Sequence, residues 1–146
     1  MRTKFNVSKD KKNRTYNGIE FDSELEMKYY RDVVEPLLRS GELLKCERQI
    51  KYCLQPAFKR FGKNIQAIEY KADFVLTFAD GHEEIIDTKG FPDAQALLKR
   101  KMFWYVYPQL IYRWIGFSKV DGGWVDFEII KQGRKDRKRQ KEKKGD

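Results

Sequence analysis

In the stretch EEIIDTKG, residues 83–90, Asp87 and Lys89 stand two positions apart at the end of an apolar run, directly before a glycine. Side chains of a strand alternate faces, so these opposite charges share one face of a sheet, about 6.5 to 7 Å apart along the chain. A second acid, Asp73, lies in the preceding apolar run ADFVL, residues 72–76. The loop between the two runs decides whether it joins them. A two-residue loop of Asp80 and Gly81 pairs Asp73 with Thr88 and sends it to the other face. A three-residue loop, Ala79-Asp80-Gly81, with glycine in the left-handed position, pairs Asp73 with Asp87, and this is the loop we expect. Carboxylates facing each other at ~4.5 to 5.5 Å between Cβ atoms repel unless a proton or cation lies between them. A divalent ion resolves the conflict, and Mg²⁺ suits it, because its shell is built from one or two carboxylates, waters and substrate phosphate. Lys89, next on that face, would orient or help deprotonate an attacking water and neutralise phosphate charge. A surface salt bridge is the plain alternative for Asp87 and Lys89.

Glu26 is a third acid. In FDSELE, residues 21–26, Ser23 and Glu26 have the spacing of a capping box, which by itself explains the glutamate. Glu26 also stands in line with Tyr30, Val33 and Leu37, on the side of a helix that would pack against the sheet. That helix is expected over residues 23–40, with Pro36 kinking its last turn or ending it early and Gly41 as the stop. Residues 43–58 read as one long strand or two short ones, residues 59–64 as a turn, and residues 65–78 and 83–90 as a hairpin. A second helix follows Pro92 and Asp93 and ends before Pro108, with Ala94, Leu97, Leu98, Met102 and Tyr105 as its apolar side. Residues 109–118 and 123–130 are the last strands. The expected fold class is α/β, a mixed sheet with helices packed on it.

The chain has 146 residues with a net charge of +9 and a mean hydropathy of -0.78. One domain is expected, spanning residues 16–130. Residues 1–15 carry a net +5 and residues 131–146 a net +6, which leaves -2 for the body between them. The ends read as basic arms that grip a polyanion, or as solubilising extensions, with the C-terminal one expected to be disordered. No apolar run reaches the ~20 residues of a membrane helix, and the basic start lacks the apolar core of a secretory leader, so a cytoplasmic location is expected. One histidine, His82, excludes motifs that need two, and Cys46 and Cys53 form neither a zinc pattern nor a disulfide framework and are expected to be buried thiols. Lys99, Arg100 and Lys101, in the helix after the motif, are candidates for phosphate contact, Lys101 first, with an ordinary exposed helix face as the alternative. Gln49 would orient a metal-bound water or pair with a neighbouring strand. His82, Trp104, Trp114 and Trp124 are assigned to turn and core.

Taken together, SELE in a first helix, YKADFVL, a glycine turn and IIDTKG followed by a helix resemble the PD-(D/E)XK nuclease superfamily. Within it the chain is most similar to the phage endonuclease I type of Holliday-junction resolvase and to related small phage proteins. The resemblance runs from about Tyr16 to Ser118. It implies a restriction-endonuclease-like core and a catalytic set of Glu26, Asp73, Asp87 and Lys89. It also implies one or two Mg²⁺ ions, with Mn²⁺ as substitute, held by Glu26, Asp73, Asp87 and the backbone carbonyl of Thr88. Two positions depart from the family pattern: Ala72 replaces the motif proline, and Asp87 stands where the junction-resolving relatives often have glutamate.

The expectation is a metal-dependent, structure-selective endodeoxyribonuclease cutting branched or junction DNA in the cytoplasm, that of a bacterial host if phage-encoded. The basic tail, through Arg134, Lys135, Arg137 and Lys138, would add sequence-independent grip on DNA. Paired cuts across a junction would call for a homodimer, and nothing in the sequence identifies an interface. Two alternatives stay open: a non-catalytic nucleic-acid-binding phage protein on the same fold, and a nuclease acting on duplex or DNA ends.

Overall fold

The computed structural model describes residues 10–145; residues 1–9, which hold much of the expected N-terminal arm, and residue 146 lie outside the described residues. The remainder of that arm forms a single 3-10 turn, Lys11–Arg14, capped by Asp10. A small hairpin follows, β1 (Thr15–Tyr16) with β2 (Ile19–Glu20).

The expected first helix is one helical stretch in three parts: α1 (Glu24–Tyr29), a π-turn (Tyr30–Val34) and α2 (Glu35–Ser40). Ser23 caps it by accepting the Glu26 N–H at 3.1 Å. Pro36 does not end the helix. Proline has no N–H to donate, and the widened turn just before it accommodates the lost bond: the Glu35 N–H reaches back to the Tyr30 carbonyl. Gly41, at φ 83°, stops the helix in the left-handed conformation.

Five strands form the central sheet in the order β3 (Leu43–Gln55), β6 (Ile68–Phe78), β7 (Glu83–Thr88), β8 (Tyr112–Ser118) and β9 (Gly123–Asp126). Between β3 and β6 lies a separate two-stranded ribbon, β4 (Phe58–Arg60) with β5 (Lys63–Ile65). Only β7 and β8 run parallel, and α3 (Ala94–Val106) makes the crossover between them. The sheet is therefore mixed and carries helices, as the α/β reading expects. Phe74, Leu76 and Ile86 pack into one core with Phe21, Tyr29 and Val34 from the first helical layer. Val75 and Ile85 pack into a second with Tyr70 and Phe103 beneath α3. No helix of the described residues is long and apolar enough to cross a membrane.

Three expectations are corrected. Of the expected apolar side of α3, Ala94, Leu97, Leu98, Met102 and Tyr105, only Met102 packs against the core, since Leu98 and Tyr105 are 59% and 88% exposed, while Phe103, which was not expected there, is 1% exposed. Arg100, four residues from Trp104, lays its guanidinium 4.0 Å from the Trp114 ring centroid and bonds Glu128 at 2.7 Å, so a cationic side chain covers the apolar surface that leucines were expected to cover. The last strand ends at Asp126, and α4 (Phe127–Lys144) occupies most of the segment expected to be strand and then disordered tail. Phe127 and Ile130 are buried three residues apart, and the Lys, Arg, Gln and Glu residues beyond them are good helix formers. The Arg137 guanidinium pairs with both oxygens of Asp121 at 2.8 and 3.2 Å. Finally, Cys46 is half-buried, with burial pushing its thiol up to about 12, but Cys53 is exposed.

One close approach joins this outer helix to the motif strand. A Cβ placed on Gly116 of β8 would lie 2.8 Å from Ile130 Cδ1 and 2.9 Å from the Lys89 carbonyl oxygen. The Gly116→Ala variant is expected to lose about 1 to 3 kcal/mol of stability in urea unfolding, as overpacked sites do; an unchanged midpoint would show that the strand and helix yield without cost.

Candidate functional site

The hairpin register brings the first two acids together. Phe78 donates its N–H to the His82 carbonyl at 2.9 Å across the loop Ala79-Asp80-Gly81, and Gly81 sits at φ 92°. Phe74 is consequently opposite Ile86 and Val75 opposite Ile85. Asp73 and Asp87 are the next step along the same register, where the ladder gives way to side-chain bonding. Asp73 Oδ2 accepts from the Thr88 N–H at 2.8 Å and from Thr88 Oγ1 at 2.9 Å. Asp87 Oδ2 pairs with Lys89 Nζ at 2.9 Å. The Lys89 ammonium also lies 5.2 Å from the Trp114 ring centroid.

Glu26 reaches the pair from α1. It is both within a capped first turn and part of the acid cluster, because its backbone N–H serves the cap while its side chain is 6% exposed and lies against Asp73. Gln49 of β3 donates to Glu26 Oε2 at 3.3 Å. Its backbone is left-handed, φ 58°, at the one point between the Arg48–Phe74 and Ile50–Ala72 pairs where β3 faces Asp73. A non-glycine residue held there is strained, and such strain persists only where the surroundings over-determine it. Glu26, Asp73, Asp87 and Lys89 line a single cleft of about 450 Å³, and the last three also line an adjoining opening of about 510 Å³.

Burial pushes the Glu26 carboxyl up to about 7, and the charges of Asp22 and Asp87 add to the rise while the hydrogen bond with Asp73 opposes it. Asp73 is raised well above the usual carboxylate range by burial first, then by Asp87 and Glu26, against the Thr88 N–H. Three acids thus crowd one another, and without a cation the cluster retains protons near neutral pH. The donor set suits a hard divalent ion: carboxylate oxygens, an open cleft for water, and Gln49 Oε1, which is buried without a hydrogen-bond partner among the described residues. Among those residues no three acidic, histidine or cysteine side chains are already gathered as a metal cluster.

The other expected residues are placed less uniformly. Lys99 lines the second opening, its ammonium held by the Glu69 carbonyl at 2.8 Å. Arg100 is occupied by Glu128 and lies 4.7 Å from the Trp104 ring centroid as well as against Trp114. Lys101, Lys135 and Lys138 are exposed, and Arg137 is committed to Asp121. Arg134 stands 5.2 Å from the centroid of Phe91. His82 stacks on Phe78 beside the turn and bonds Asp80 and Glu84. Trp114 is buried and Trp124 half-buried, but Trp104, expected in the core, is 49% exposed. Sequence reasoning passed over Phe91 and Asp22, both of which line the acid cleft. Asp22 belongs to the FDSELE stretch, so its spacing to Glu26 was a usable signal; Phe91 offered none, since a single phenylalanine reads as core.

The family model described as a protein of unknown function (DUF1064) matches residues 2–120. No curated protein matches the chain.

Folded Glu26 and Asp73 hold protons that the unfolded chain has released, so stability contributed by this cluster falls as pH rises from the ordinary carboxylate value, about 4.3 for glutamate, through about 7. In divalent-free buffer the melting temperature is expected to decline over that window, and Asp73→Asn to flatten the decline and melt higher at pH 8. Added Mg²⁺ is expected to raise the wild-type melting temperature more at pH 8 than at pH 5, and to do little for the variant. Equal slopes for both proteins would show that the acids are not coupled.

Proposed function

Because the chain belongs to the DUF1064 family, whose description names no activity, we propose from the site itself that it is a divalent-metal-dependent endodeoxyribonuclease. The reading is that of the PD-(D/E)XK superfamily, with branched DNA as the preferred substrate. One observation carries it: an acid from a first helix, two acids on adjacent antiparallel strands and a lysine two residues beyond the second all border one open cleft. A purely structural salt bridge would account for Lys89 and Asp87. It would not account for Asp73 and Glu26, two carboxyls in contact that burial, before any other cause, pushes above their ordinary range.

Glu26, Asp73 and Asp87 would hold Mg²⁺, which when bound supplies Lewis-acid polarisation of a phosphate and a lowered pKa for water. Lys89 is the cationic donor of the site. Its ammonium is oriented by Asp87 and by the Trp114 ring, and it would stabilise negative charge developing on the phosphate oxygens. Thr88 holds Asp73 in place through two donors. Exposed Lys135 and Lys138 on α4 provide phosphate contacts that carry no sequence information, which suits recognition by shape.

Incubation of the full chain with a labelled four-way junction, a fork and a linear duplex in Mg²⁺ should give cleavage, with the branched substrates preferred. Asp87→Ala is expected to abolish cleavage while binding changes little, and Lys89→Ala to lower the rate about 10² to 10³-fold, as loss of one preorganised donor does. Failure of the wild type to cut any of the three in Mg²⁺ or Mn²⁺ would overturn the proposal.

A further inference from the structure

Phe91 is 77% exposed and lines the acid cleft, two residues beyond Lys89. An exposed phenylalanine on a loose loop would mean little, but this one is held. On one side the Lys89 N–H bonds the Ile115 carbonyl at 2.8 Å, and on the other Asp93 caps α3 by accepting the Ala96 N–H at 2.8 Å. Only Gly90, Phe91 and Pro92 lie between these anchors, and a residue before proline is confined to extended conformations. The ring is therefore presented to solvent at the rim from a short backbone segment anchored on both sides.

Arg134 lies 5.2 Å from the ring centroid. It comes from α4, which is fixed by buried Phe127 and Ile130 and by the Arg137–Asp121 pair. Lys138 and Lys141 follow Arg134 at four and seven residues, so one face of the helix carries a row of exposed cations that includes the arginine beside Phe91. An apolar ring next to an arginine, at the mouth of a phosphate-binding cleft and continuous with a basic track, is the composition of a platform for an unpaired base.

Resting on the nuclease reading of the neighbouring cleft, we infer that Phe91, backed by Arg134, stacks an unpaired DNA base adjacent to the phosphate held between Lys89 and the three acids. This gives preference for branched substrates a physical origin. A fully paired duplex keeps its bases stacked on one another and leaves the ring bare, whereas a fork or junction has bases free to stack on it.

The test is binding in EDTA, where no cleavage is needed. Full-length protein is titrated with a fork carrying unpaired nucleotides at its branch point, a single strand, and a linear duplex. Phe91→Ala is expected to weaken binding of the first two by roughly 5- to 100-fold, the range of a lost base–aromatic stack, and to leave the duplex within about twofold. Phe91→Trp should bind as well as the wild type. With 5-iododeoxyuridine at the unpaired position, irradiation should place the crosslink on residue 91. Equal losses on all three substrates, no loss on any, or a crosslink mapping elsewhere would overturn the inference. A wild type that binds and crosslinks in this way but never cuts would instead retire the nuclease reading and leave the base platform standing.

Discussion

The structure depends on keeping like charges together out of bulk water. Glu26 and Asp87 are 6% and 4% exposed, and Asp73 lies between them; burial raises the Glu26 and Asp73 carboxyls, and the charge of Asp87 adds to both. Buried acids of one sign are unfavourable unless protonated, paired or bound to a cation. Two of these remedies are open to the protein at once, a raised proton affinity at Glu26 and Asp73 and the Lys89 ammonium on Asp87. The surrounding fold must hold such an arrangement, and aromatic packing does so on both sides of the sheet: Tyr29 and Phe21 against Phe74 on one, Phe103 against Tyr70 and Tyr112 on the other.

Geometry enters through the sheet register. Because strand side chains alternate faces, the three-residue loop at Ala79 to Gly81 sets which residues of β6 and β7 meet, and a slip by one residue would separate Asp73 from Asp87. The first helix then has to deliver Glu26 to the same place. Its capped start at Ser23 and the π-turn ahead of Pro36 let it continue across the core to Gly41 without breaking. Gln49 completes the contact from β3 at the expense of an unfavourable backbone conformation.

Charge outside the cleft is less freely available than the net +9 suggests. Arg100, Arg113 and Arg137 are tied to Glu128, to Glu84 and Asp126, and to Asp121. These pairs fasten α3, β9 and α4 to their neighbours, so part of the basic complement serves the fold. The longest row of exposed cations lies along α4, from Lys131 to Lys144. A rigid helix presents them in a defined direction, which a disordered tail would not do.

Much of this was legible in the sequence wherever a local rule governs the outcome. The Ala79-Asp80-Gly81 loop follows from glycine in the left-handed position, the end of the first helix from Gly41, and the start of α3 from Asp93 after Pro92. Alternation along ADFVL and EEIIDTKG then placed Asp73, Asp87 and Lys89 on a common face. Long-range fit was not legible. The sequence alone could not show that Arg100 rather than Leu97 and Leu98 would cover Trp114, that Phe127 and Ile130 would start a helix where alternation suggested a strand, or that Phe91 would stay in solvent at the rim of the acids. Those outcomes depend on which surfaces meet after the sheet has formed, and burial of a side chain is a property of its neighbours, whereas turn chemistry and face alternation belong to the residues themselves.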